Sequence, residues 1–131
     1  MTTDLWMLVA TALLCLSNPI VYAIGRFSTP GGYAWAVGNR DKALPNVPAW
    51  TARAVQAHQN MIENITAFAV LVLVAHVSGK ANETTALGAT IFFYARIAYL
   101  AIYTAGIPYL RTAAWATAWA GGAMILVQLF N

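Results

Sequence analysis

Six polar side chains fall within one twelve-residue stretch of this sequence: Arg53, Gln56, Gln59, Asn60, Glu63 and Asn64. With about 100° of rotation per helical residue, they share about 140° of arc on one face, while His58 lies on the opposite side. A second set, Arg96, Tyr99 and Tyr103, is spaced by three and four residues and so shares a face of its own helix. Arg111 follows just past Gly106-Ile107-Pro108. Together these groups have the chemistry to recognise a small water-soluble zwitterion. Guanidinium forks match carboxylates, Glu63 suits an ammonium and Asn60 suits a peptide amide. No metal site is expected, because His58 and His76 stand 18 residues apart and the single cysteine, Cys15, reads as a small apolar residue. The formal charge of +3 is no nucleic-acid footprint either, since no basic patch is interleaved with aromatics.

The elements that must position these residues follow from composition. Apolar residues make up 60% of the 131 and charged residues 8%, against roughly 25% charged in a soluble domain. Mean hydropathy is +0.63. Seven basic and four acidic side chains are too few to cover a small soluble domain. Residues 5–25, 84–95, 97–110 and 112–131 carry no charge, and Glu63 is the only formal charge between 54 and 79. One crossing of the hydrocarbon needs about 20 apolar residues. The chain therefore reads as an all-α membrane protein, a bundle of four transmembrane helices in a single domain over residues 1–131. The expected spans are 5–26, 50–77, 84–105 and 110–130.

Pro19 predicts a kink in the first span. The run Ser28-Thr29-Pro30-Gly31-Gly32 ends it and opens the only long loop, which closes at Pro48. In the fourth span the small residues Ala114, Ala118 and Gly122 recur every four positions, a spacing that allows close helix approach. Arg26, Arg40, Lys42 and Arg53 cluster around the first connection, so positive-inside bias puts that loop in the cytoplasm and both termini on the opposite side. The short loops favour a bacterial inner membrane. An arginine or acid at a helix centre costs about 2.5–3.5 kcal/mol on insertion scales. The stripes on helices two and three should therefore face each other or a neighbouring subunit, in a polar pocket open to the cytoplasm.

The run Ala57-His58-Gln59-Asn60-Met61-Ile62-Glu63-Asn64 resembles the AHxNxxEN signature of the MAPEG family, the membrane-associated proteins of eicosanoid and glutathione metabolism. The run from Ala95 through Arg96, Tyr99 and Tyr103, with Pro108 and Arg111 beyond it, is similar to that family's second conserved stretch. The resemblance covers nearly the whole chain. It implies a homotrimer with glutathione bound as co-substrate between adjacent subunits near the cytoplasmic face. By position, Asn60 and Glu63 match glutathione-contacting residues, Tyr103 a tyrosine lining the site, and Arg111 the arginine that stabilises the thiolate. Arg26 and Arg53 match peripheral arginines that hold carboxylates, and Gln56, Arg96 and Tyr99 complete the expected glutathione-binding set. The chain departs from the pattern at Gln56, where many relatives carry arginine.

The implied activity is that of a membrane-bound glutathione transferase or peroxidase of the detoxifying kind. The thiolate would attack a lipophilic small molecule or a lipid hydroperoxide, with Arg111 and Tyr103 catalytic. Two other classes compete with it. A non-catalytic lipid-binding or scaffold protein of the same fold is favoured by Gln56 and disfavoured by Arg111. A small multidrug exporter would need a carboxylate in its first helix, where residues 5–25 have no charge.

Overall fold

The four apolar runs fold as four long helices, and the long loop holds a fifth, short one. In the computed structural model, which describes residues 1–131, α1 spans Thr3–Phe27, α2 Gly32–Val37, α3 Ala49–Val77, α4 Glu83–Ala105 and α5 Pro108–Phe130. All but α2 are long and apolar enough to cross a membrane. α1 runs through Pro19 as one helix. The boundaries differ from the sequence reading by at most two residues, most informatively at Pro108. There the proline starts α5 instead of merely breaking α4, because a first-turn N–H has no helical partner to lose. Gly106, at φ 84°, ends α4 in a left-handed conformation that a side chain would strain. At the other end of α4, Asn82 caps the helix through the Thr84 and Thr85 N–H groups.

Packing is closest between α4 and α5. A Cβ added to Gly88 would lie 2.6 Å from the carbonyl oxygen of Gly121, and one added to Gly121 would lie 2.9 Å from the Phe92 nitrogen. The backbones can meet only because both residues are glycine. This places the close approach at Gly121, not at Gly122, whose missing Cβ would meet nothing. Phe68 of α3 stacks on Phe92 of α4 with centroids 3.9 Å apart, and Val72, Ala118 and Ile125 complete the core around them.

Polar contacts tie the helix ends together. Buried Asp4 accepts from the Thr85 hydroxyl at 3.4 Å, and the Asn82 side chain donates to Gln128 at 2.9 Å. Leu13, Leu16, Ile20 and Ile24 on α1, and Val70, Val74 and Val77 on α3, face outward. That is the inverse of a water-soluble bundle and suits a hydrocarbon surround.

Candidate functional site

α3 turns its buried face, through Ala54, Ala57, Met61, Phe68 and Val72, into the bundle. The polar stripe straddles the edge of that face, so its members go to two places. Arg53, Asn60 and Asn64 lie on the α4/α5 side, whereas Gln56, Gln59 and Glu63 are exposed on the outer surface.

On the inner side a continuous set of polar contacts runs from α3 through α4 to α5. Asn60 Oδ1 accepts from Arg96 Nη2 at 3.0 Å, and the Asn64 side-chain amide donates to the Asn60 carbonyl one turn back at 2.7 Å. Arg96 is only 2% exposed, and its Nε and Nη1 have no protein partner. Its guanidinium carbon lies 4.5 Å from the centroid of the Tyr99 ring, which meets Tyr103 edge-on at 5.5 Å. Arg111, in the first turn of α5, closes the series 4.6 Å over Tyr103. Asn60, Tyr99, Arg111, Thr112 and Trp115 line a pocket of about 230 Å³. It contains a guanidinium and no carboxylate, so its field favours an anion.

The structure thus brings together Asn60, Arg96, Tyr99, Tyr103 and Arg111. The expected facing of the stripes on helices two and three is realised by the pair Asn60 and Arg96. Arg53 is adjacent, with Nε donating at 3.0 Å to the Thr104 carbonyl in the last turn of α4, where carbonyls lack helical partners. The other residues stand apart. Arg26 stacks on Tyr22 at 4.7 Å and, with Gln56, borders a separate cavity of about 300 Å³ beside the long loop. Glu63 Oε1 accepts from Gln59 Nε2 at 3.5 Å, at the limit of a hydrogen bond, and lies on the exposed outer face.

His58, on the face opposite the stripe, bonds the Tyr22 hydroxyl across α1 and α3 at 3.1 Å. Thr112 and Trp115 were missed as pocket residues. A signal was present for Trp115, which lies four positions beyond Arg111 and so on its face.

Comparison with curated proteins and with solved structures finds no match. The family model of MAPEG proteins, by contrast, aligns with residues 5–131. Four membrane-length helices and a match over essentially the whole chain make this an integral, multi-pass membrane protein that belongs to the MAPEG family.

Proposed function

We propose that the protein is a membrane-bound glutathione-dependent transferase or peroxidase in which Arg111 stabilises the glutathione thiolate. The observation that supports this most directly is the pocket where Arg111, Asn60 and Tyr99 converge, with the buried Arg96 guanidinium behind Asn60. An ordinary thiol has a pKa of about 8.5 and is mostly protonated at neutral pH. A guanidinium beside the sulfur favours the charged form, and each unit of depression is worth about 1.4 kcal/mol. The thiolate then attacks a lipophilic electrophile, forming a carbon–sulfur bond as the leaving group departs with its electron pair. With a hydroperoxide it attacks the terminal oxygen and breaks the O–O bond, giving the sulfenic acid and an alkoxide that takes up a proton as the alcohol. A second glutathione then reduces the sulfenic acid, giving the disulfide and water. Tyr99 and Tyr103 hold the two arginines by their ring faces, and Asn60 meets the peptide amide.

The residues of one chain fit glutathione only in part. A pocket of about 230 Å³ is smaller than the roughly 300 Å³ at which ligand sites begin. Moreover, the acid suited to the ligand's ammonium, Glu63, sits on the outer face of its own chain. A homotrimer in which Glu63, Gln56 and Arg26 complete a neighbour's pocket, with Arg53 beside its own chain's, accounts for both facts. It also gives an exposed carboxylate within an apolar span a polar environment. In this reading the pocket opens to the cytoplasm of a bacterial cell, the side to which the basic first loop points by positive-inside bias.

A stopped-flow titration of the detergent-purified protein with glutathione, following thiolate absorbance at neutral pH, tests the proposal. The expected result is a saturable thiolate signal that disappears in Arg111→Ala. Neither signal nor equilibrium binding in the parent protein would overturn it and leave the lipid-binding or scaffold reading.

A further inference from the structure

The long loop holds a second cluster of cations, of which Arg40 and Lys42 are not used by the glutathione reading. Trp35 of α2 lies between two guanidinium groups, Arg26 at 5.1 Å and Arg40 at 5.3 Å from its ring. The Trp35 indole N–H donates to the Lys42 carbonyl at 2.6 Å, folding the loop back onto the ring. Arg40 has φ 58° and donates through Nε and Nη2 to the Ala36 carbonyl, closing the end of α2. These arginines are therefore fixed by rings and a carbonyl, and neither charge is neutralised by an acid. Asp41 is the one carboxylate of the loop and is exposed.

Two neighbouring features say what such a cluster meets. The cavity of about 300 Å³ beside it is walled by Trp35, Leu44, Val47 and Val55, with Arg26 at its edge. On α2 itself Tyr33 and Val37 are 70% and 69% exposed, continuing the apolar surface that Ile24 and Phe27 present at the end of α1. Fixed cations, an aromatic ring and an apolar cavity thus adjoin a surface suited to hydrocarbon. That combination matches a phosphodiester carrying acyl chains better than a free anion, which has nothing to place against the apolar wall.

We propose that the loop around α2 binds an acidic phospholipid, with its phosphate at Arg40 and Lys42 and its glycerol-ester region in the cavity against Trp35 and Leu44. The site is centred on Arg40, Lys42 and Trp35, outside the Arg111 pocket, and shares only Arg26 and Gln56 of its cavity wall with the glutathione reading.

The test titrates the detergent-purified full chain with dioleoyl-phosphatidylglycerol and follows tryptophan emission. Dioleoyl-phosphatidylcholine, glycerol 3-phosphate and glutathione are run in parallel. The Trp35-dependent part of the change, the difference between the parent and Trp35→Phe, should saturate with the acidic lipid and not with phosphatidylcholine or glycerol 3-phosphate. A glutathione signal from Trp115 should survive Trp35→Phe. Each basic side chain near an acidic headgroup is worth about 1 kcal/mol, or roughly fivefold in affinity. Lys42→Gln should therefore weaken binding about fivefold, and Arg40→Gln with Lys42→Gln about thirtyfold. Lys42→Gln keeps the backbone carbonyl that Trp35 holds, so its effect reports charge and not a collapsed loop. An equal Trp35-dependent response to phosphatidylcholine, a saturable one to glycerol 3-phosphate, or unchanged affinity in the double variant would each overturn the proposal.

Discussion

Arg96 depends on a single protein acceptor, the side chain of Asn60, and is otherwise shut inside the bundle. Removing the partner of a buried charged donor costs about 3 kcal/mol, whereas replacing both partners with apolar groups can be nearly neutral. Asn60→Leu should therefore lower the thermal midpoint of the detergent-solubilised protein sharply. Adding Arg96→Met should restore most of the loss, and a double variant as unstable as the single one would show that the pair is not coupled. The residue types of the site could be read from sequence, because an amide, an arginine and tyrosines at helical spacing inside apolar spans mark either a ligand site or polar helix packing. Which of them meet could not. The six polar residues of α3 occupy one arc, and a difference of about 40° separates Asn60, which turns inward, from Gln56, which turns out. Only the packed neighbours decide on which side of that edge a side chain falls.

Two adjacent glycines make a sharp experiment at the scale of the helix pair. Gly121→Ala would drive a methyl group into the backbone of α4, and overpacking of this kind costs about 1–3 kcal/mol. Gly122→Ala meets open space and should leave stability within about 1 kcal/mol of the parent. Thermal unfolding in detergent measures both, and equal effects would contradict the α4/α5 register. The sequence announced a small-residue face on α5 through Ala114, Ala118 and Gly122, yet the contact uses Ala118, Gly121 and Ile125. Spacing alone cannot choose between neighbouring glycines, because either one extends a run of small residues. The four long helices were legible for the opposite reason, since each is defined by some twenty apolar residues and no single one matters. α2 was not foreseen. Six residues are too few to show a period, and what holds them is the stacking of Trp35 with Arg26 and Arg40.

For the whole molecule, the exposed Glu63 and the small one-chain pocket predict assembly. Native mass spectrometry from a mild detergent should give the mass of three chains. A single-chain mass under conditions that preserve glutathione binding would remove the shared-site argument while leaving the Arg111 chemistry intact. The contact between Asn60 and Arg96 has a last consequence, for biogenesis. α3 leaves the ribosome before α4, so the acceptor already stands in the bilayer when the arginine-bearing helix arrives. An arginine entering alone is disfavoured by about 2.5–3.5 kcal/mol on insertion scales, and a waiting amide offsets part of that. Chain order thus makes entry of the later helix conditional on the earlier one. In a translocon assay, α4 preceded by α3 carrying Asn60→Leu should integrate less efficiently than α4 preceded by the native helix.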